Sequence, residues 1–169
     1  MITIAMSAVI GAPRERVWRA LTVPEEVIRW DERLLALAAP APGHPRAGQT
    51  VRWRCRLGSV VVDLLERPVE VMPCQRLLSE ISLGLFRFEE TCGLSDEAGD
   101  GSRTRLSVRL VAANSVPVVG GLLDRFEVRQ LAATMVDTKL KALQVWCERD
   151  QRAAAGSKRS EPRAHSATV

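Results

Sequence analysis

The chain has 169 residues, the usual size of a single domain, and it is 46% hydrophobic and 26% charged. Its formal charge of +4 comes from 24 basic and 20 acidic side chains. Residues 151–169 hold four of the basic groups and one acidic group, so residues 1–150 are nearly neutral. This balance argues against a nucleic-acid-binding domain, whose excess basic charge lies in the folded part.

Several kinds of site are disfavoured by composition. The chain has no tyrosine, so no mechanism can use a phenol, and its histidines are His44 and His165. No two of its four cysteines are closer than 18 residues, so neither a metal nor another cofactor is expected. The first residues lack the basic region of a signal peptide, and the apolar runs are too short to span a bilayer. We therefore expect a cytoplasmic protein without stable membrane insertion.

The first part of the chain predicts a strand followed by two short helices. Residues 2–10 are apolar and rich in strand-forming side chains. Pro13 suits the beginning of a helix over 13–21, and the apolar spacing after it predicts a second helix over about 24–37. Residues 38–48 contain three prolines and two glycines, which predicts a loop.

Residues 49–57 alternate between apolar and arginine side chains, which predicts a strand. Gly58-Ser59 fits a two-residue hairpin turn. The resulting register places Trp53 opposite Leu64 and Cys55 opposite Val62 on one face. On the other face Arg54 lies opposite Asp63, and we expect these two side chains to pair.

More strands are predicted over 69–72, between Pro68 and Pro73, and over 76–83, 85–94 and 103–112. In the last of these, Leu106 and Val108 share the apolar face while arginines occupy the other. The outward arginines could form a basic face for nucleic acid or an anionic membrane. A solvated face balanced by acidic side chains is favoured, because no aromatic side chain lies among the arginines.

A long helix is predicted over about 116–150. Its apolar side chains recur at close to 3.6 residues, and residues 118–123, around Gly120-Gly121, could act as a lid. Residues 151–169 are polar and basic, and a disordered tail is expected there. The stripe consists of Leu122, Phe126, Ala133, Val136, Leu140, Leu143 and Cys147.

This order of elements predicts an α+β fold: a curved antiparallel sheet of about six to seven strands wrapped around the C-terminal helix. The order and spacing of several short motifs over residues 2–150 resemble the START/Bet v 1-like helix-grip superfamily, in particular its polyketide cyclase/dehydrase and lipid-transport branch. The motifs are Ala12-Pro13 with Val17-Trp18, Leu21-Thr22 with Pro24-Glu25, Val69 to Pro73 with Arg76-Leu77, Gly101-Ser102 with Thr104, and Lys139-Leu140 with Leu143 and Glu148.

The resemblance implies one ligand-binding domain over 1–150, with a hydrophobic cavity between the sheet and the long helix. A binder or carrier of a small lipid-like or polycyclic molecule is the first hypothesis, as a monomer or homodimer that does not bind nucleic acid. A polyketide cyclase or dehydratase acting in the same cavity is the alternative, weakened by the missing tyrosines. A protein-interaction module of the chaperone co-factor type is a third class.

Two charged residues are candidates for orienting a ligand or for catalysis. Alternation from Phe86 and Phe88 turns Glu90 inward, and Arg129 interrupts the helical stripe. In an enzyme, Glu90 would be the general acid or base and Arg129 the oxyanion partner; the alternative places both in solvent. The full set of candidate ligand contacts is Trp30, Trp53, Cys55, Val62, Leu64, Phe88, Glu90, Leu106, Val108, Leu122, Phe126 and Arg129.

Overall fold

The chain folds as a strand, two short helices, a run of strands and a long closing helix. The computed structural model describes residues 2–84, 86–97, 99–112 and 125–158. The strands are β1 (Ile2–Ile10), β2 (Leu34–Leu37), β3 (Val51–Leu57), β4 (Val60–Met72), β5 (Arg76–Leu83), β6 (Phe86–Asp96) and β7 (Thr104–Ala112). The helices are α1 (Arg14–Thr22), α2 (Pro24–Trp30) and α3 (Arg125–Lys158).

The seven strands form one curved antiparallel sheet in the order β1-β7-β6-β5-β4-β3-β2. Helix α3 packs across β1 and β7, so it covers one end of the sheet. Its apolar stripe is buried in the same core cluster as the inward side chains of those strands. The predicted α+β helix-grip fold is therefore confirmed. The stripe residues buried in this core are Val136, Leu140, Leu143 and Cys147.

The register of the β3–β4 hairpin is confirmed as predicted. Trp53 lies opposite Leu64, and Arg54 lies opposite Asp63. The predicted ion pair is wrong, because the carboxylate of Asp63 lies 3.7 Å from the guanidinium of Arg52 instead. Both side chains of that pair are more than half exposed, so it contributes little to stability.

The predicted second helix over 24–37 is too long. Helix α2 ends at Trp30, and residues Leu34–Leu37 form β2 at the edge of the sheet, paired with β3. The Asp31 carboxylate accepts a hydrogen bond from the backbone N–H of Arg33 at 3.1 Å. A turn of this kind competes with helical hydrogen bonding and redirects the chain toward the open edge of β3.

Two other boundaries differ from the prediction. The predicted segment 69–72 belongs to the single strand β4, which passes through Pro68 with a register shift between Pro68 and Glu70. A proline cannot donate to the ladder, and a bulge accommodates it. Helix α3 continues to Lys158, beyond the predicted boundary at 150. The predicted lid at 118–123 and residues 159–169 lie outside the described residues.

Candidate functional site

The site is built on the concave face, the face of the sheet that packs against α3. Residues paired across neighbouring strands share a face, so the register defines its members. One row across this face runs from Ser79 on β5 through Glu90 on β6 and Leu110 on β7 to Ile4 on β1. The row is apolar at its β1 end, with Ile4 and Leu110, and polar at its β5 end, with Glu90 and Ser79.

Glu90 meets a cation from the closing helix. The Lys139 ammonium contacts the Glu90 carboxylate, and the two side chains are only 18% and 15% exposed. Burial disfavours the charged ammonium, but the Glu90 carboxylate outweighs it and raises the pKa of Lys139 above its usual value. The lysine therefore stays protonated at physiological pH, with its charge facing the interior of the site.

A second carboxylate, Glu66 on β4, lies on the same face. Its two oxygens accept hydrogen bonds from Trp53 Nε1 and from Ser79 Oγ, each at 2.9 Å. Ser79 is buried and stands directly opposite Glu90 in the β5–β6 ladder. Glu66, Ser79, Glu90 and Lys139 thus form a contiguous polar cluster, with two carboxylates flanking one hydroxyl group.

Apolar side chains border the polar cluster on the concave face. Leu64 and Leu83 are paired across β4 and β5, and Ile81 is paired with Phe88 across β5 and β6. All four are only partly buried. The rings of Phe86 and Phe88 stack with centroids 6.3 Å apart. We call Leu64, Ile81, Leu83 and Phe88 the apolar wall; an apolar ligand could cover surface that these residues leave accessible.

His44 adds an imidazole at the β3 side of the site. Its ring packs edge-on against Trp53, with centroids 6.1 Å apart. Burial lowers the pKa of His44, and the nearby Glu66 carboxylate offsets only part of this effect. The imidazole is therefore neutral at physiological pH. Its Nδ1 is buried without a hydrogen-bond partner among the described residues.

A cleft of about 560 Å³ opens between α2 and α3. The Asp31 carboxylate on its border pairs with Arg33 at 2.8 Å. Burial raises the pKa of Asp31, but the hydrogen bonds and charge of Arg33 more than offset this, and the net pKa is lowered. The cleft holds many charged side chains and no strand residue of the sheet, so it suits an apolar ligand less well than the concave face. It is lined by residues 29–33 and by Asp137, Thr138, Lys139, Lys141, Ala142, Val145, Trp146 and Arg149.

The cysteines near the site are not activated as nucleophiles. Burial, together with the Glu90 carboxylate, raises the pKa of Cys92 to about 12. Burial also raises the pKa of Cys55. Since the thiolate is the reactive form of cysteine, both side chains act as small apolar groups at physiological pH.

The structure places half of the predicted ligand contacts together on the concave face. These are Trp53, Cys55, Val62, Leu64, Phe88 and Glu90. Leu106 and Val108 lie on the same face and are buried in the core under α3, and Trp53 and Cys55 are also buried. A role of any of these residues in ligand binding stays a prediction.

The remaining candidates do not join this group. Trp30 is buried between the short helices, and its Nε1 donates to the Ala20 carbonyl at 2.8 Å. Arg129 is exposed, and Glu90 pairs with Lys139 instead. Among the α3 side chains that the structure describes, Arg129 and Gln130 are exposed and Ala132 is buried. Leu122 and the side chain of Phe126 lie outside the described residues.

Sequence reasoning missed the partner of Glu90 and most of the polar cluster. Lys139 lies three residues after Val136, at the edge of the buried stripe, and is one of three lysines in a chain with 21 arginines. Glu66 has the inward parity of Leu64, so alternation along β4 would have identified it. The inward face of this half of the sheet therefore carries titratable groups beside its apolar side chains.

The fold and the sequence agree on one family. The family model described as polyketide cyclase/dehydrase and lipid transport matches residues 1–146. The chain belongs to this family. A comparison with curated proteins found no match.

Solved structures show how this family's fold is shared. A START superfamily protein from Mycobacterium smegmatis superposes with a TM-score of 0.70 at 14% identity, covering 88% of this chain and 99% of that one. TTHA0849 from Thermus thermophilus gives 0.64 at 25% identity, with coverages of 88% and 98%. The ZhuI aromatase/cyclase from Streptomyces sp. R1128 gives 0.63 at 18% identity, with coverages of 90% and 96%. At these identities the likeness concerns the helix-grip fold.

The described residues contain neither a membrane span made of a helix nor a cluster of metal ligands. No helix there is long and apolar enough to cross a membrane. Within the same residues, no group of three or more His, Cys, Asp or Glu side chains is arranged to hold a metal ion.

Proposed function

We propose that this family member binds a small amphipathic organic molecule on its concave face. The apolar body of the molecule would lie against the apolar wall, and its polar group would face the polar cluster. The observation that carries the proposal is the position of the Lys139–Glu90 pair beside Leu64, Ile81, Leu83 and Phe88. Binding pockets combine an apolar lining with a few convergent polar groups in this way.

The charges of the polar cluster indicate which polar group would fit. Lys139 is a protonated donor, and Ser79 carries a hydroxyl group within the same cluster. Glu66 and Glu90 are acceptors already engaged by donors of the protein. A ligand carbonyl, phenolate or carboxylate oxygen would compete with Glu90 for the Lys139 ammonium, whereas a cationic ligand would meet the ammonium unfavourably.

Native mass spectrometry of the purified protein tests whether a small molecule is carried. A saturable titration with 1-anilinonaphthalene-8-sulfonate then tests the location, because its rings match the apolar wall and its sulfonate can pair with Lys139. We expect Ile81→Trp to fill the concave face and raise the probe Kd about tenfold. The matched control is Val69→Trp, since Val69 is 43% exposed in the bulge region of β4. Equal affinities of the two variants would overturn the proposed site.

A second candidate function, a polyketide cyclase or dehydratase reaction, is favoured by the two carboxylates flanking Ser79. A carboxylate can remove a proton next to a carbonyl group, and the Lys139 ammonium can stabilise the oxygen that becomes negative. In this hypothesis Lys139 takes the oxyanion role that the sequence assigned to Arg129. With a poly-β-keto thioester as substrate, Glu90→Gln should lose product formation without weakening probe binding. Unchanged product formation would remove Glu90 from the mechanism.

A further inference from the structure

Exposed apolar side chains gather at one end of the sheet, where two hairpin turns lie. Leu57, Val60 and Val61 in the β3–β4 hairpin are 37%, 58% and 52% exposed. Phe86, which follows the β5–β6 turn, is 37% exposed. Since Leu83 is paired with both Leu64 and Phe86, the two turns lie at the same end of the sheet. We call Leu57, Val60, Val61 and Phe86 the apolar tip.

The β3–β4 hairpin projects beyond its neighbour on one side. Four residue pairs, from Arg54–Asp63 to Leu57–Val60, extend past Leu64, the last β4 residue that is paired with β5. Leu57 and Val60 are paired and share the concave side, whereas Val61 is paired with Arg56 on the opposite side. The projecting hairpin therefore exposes apolar side chains on both faces, and Val61 shares its face with Arg54, Arg56 and Asp63.

Basic side chains surround the apolar tip. Arg54, Arg56 and Arg87 are exposed. In the described part of the chain, neither Arg54 nor Arg56 has an ion-pair partner, and Arg87 donates to the Gly84 carbonyl at 3.3 Å. Asp63 is the one acidic residue of the four projecting pairs, and its carboxylate lies 3.7 Å from the Arg52 guanidinium. This end of the sheet thus combines accessible apolar side chains with an excess of positive charge.

We propose that the apolar tip docks on the surface of an anionic lipid bilayer. The valines would enter the interface between headgroups and acyl chains, and the arginines would meet the lipid phosphates. A bilayer surrounds an inserted tip on all sides, which suits a hairpin whose exposed valines, Val60 and Val61, lie on opposite faces. A protein partner would have to enclose the projecting hairpin to cover the same side chains.

The apolar tip is continuous with the site described above. Phe86 of the apolar tip stacks on Phe88 of the apolar wall. Phe86 is also paired across β5 and β6 with Leu83, another residue of that wall. When the protein docks through its apolar tip, the neighbouring edge of the concave face would therefore lie against the bilayer. Transfer of an amphipathic ligand between the concave face and the membrane would follow from such docking. That transfer rests on the proposed function, whereas the docking itself does not.

Co-sedimentation with vesicles tests the docking. The wild-type chain should bind vesicles of phosphatidylcholine and phosphatidylserine in a two-to-one ratio more tightly than vesicles of phosphatidylcholine alone. Arg54→Ala and Arg56→Ala should each weaken binding to the mixed vesicles about fivefold. Val60→Ser together with Val61→Ser should weaken it about tenfold. All of these side chains are exposed, so the variants are expected to fold.

The controls are an exposed arginine and an exposed valine elsewhere, Arg103→Ala and Val145→Ser, which should bind like the wild type. Absent binding to the mixed vesicles, or equal binding by tip variants and controls, would overturn the proposal. A wild-type dimer that Val60→Ser with Val61→Ser dissociates, without vesicle binding, would assign the tip to self-association and also overturn it. The tip variants should keep their affinity for the anilinonaphthalene probe, and Ile81→Trp should keep its vesicle binding. Failure of one proposal is thus separable from failure of the other.

Discussion

Lys139 on α3 and Glu90 on β6 form an ion pair that joins the closing helix to the middle of the sheet. Both side chains are largely shielded from water, so neither charge can be removed without leaving the other poorly solvated. The pair also marks the point where the packed core under α3 gives way to the half-buried apolar wall.

Breaking this pair should destabilise the protein. Lys139→Met leaves the Glu90 carboxylate without its cation, and we expect the free energy of unfolding to fall by about 3 kcal/mol. Lys141→Met is the matched control, because Lys141 is 72% exposed in an i, i+4 pair with Asp137 and should cost about 0.5 kcal/mol or less. Urea denaturation measures both. The double variant Lys139→Met/Glu90→Leu should be more stable than Lys139→Met alone, because it leaves no unpaired charge. If the two variants are equally unstable, an unpaired buried charge is not the cause of the loss.

Stability should fall at alkaline pH because of Cys92. Its pKa is about 12 in the folded protein, against about 8.5 in an unfolded chain. The folded state therefore holds a proton that the unfolded state releases, and the free energy of unfolding decreases as pH rises above about 8.5, by up to about 1.4 kcal/mol per pH unit. Urea titrations between pH 7 and pH 10 under reducing conditions measure this slope. Cys92→Val should reduce this slope, to which Cys55 also contributes because burial raises its pKa. An unchanged slope would assign the effect to other groups.

Trp30 should prove to be a structural residue. Its Nε1 donates to the Ala20 carbonyl and ties α2 to α1. Trp30→Phe removes that hydrogen bond and should lower the free energy of unfolding by about 1 kcal/mol, while the affinity for the anilinonaphthalene probe stays unchanged. Thermal denaturation and the probe titration together check both halves. A weakened probe affinity with normal stability would return Trp30 to the ligand contacts.

Acid should weaken the turn after α2. The Arg33 guanidinium holds the pKa of Asp31 below its usual value despite burial. A lowered pKa means that this contribution to stability is present above the unfolded value of about 3.9 and is lost as pH falls through the folded value. The difference in unfolding free energy between the wild type and Asp31→Asn should be constant above pH 5 and shrink below pH 4. A difference independent of pH down to pH 2 would contradict the role of the Asp31 charge.

The sequence predicted those parts of the fold that depend on local patterns. The β3–β4 register followed from Gly58-Ser59 and from alternation around Trp53. The inward side of β7 followed from alternation alone, since Leu106 and Val108 are both buried. The alternation of side chains along β6 also predicted that Glu90 faces inward, and its contact with Lys139 on α3 agrees with this prediction.

Elements that depend on a distant partner were predicted less well. The apolar spacing of 24–37 extends a helical pattern through Leu34, but the open edge of β3 binds that segment as a strand. Arg129 has the helical phase of the buried stripe and is nevertheless exposed, because periodicity does not show how far along a helix its neighbours cover it.

The sequence by itself determined the order of elements apart from β2, the faces of the strands and the resemblance to the family to which the chain belongs. These are properties of short stretches, in which side chains alternate or recur with the period of a strand or helix. The tertiary structure alone decided that Lys139 meets Glu90, that Glu66 joins Trp53 and Ser79, and that the apolar tip projects from the sheet. Such relations depend on how a helix crosses a curved sheet and how far each hairpin extends, and side chains 49 residues apart carry no local signal of their meeting.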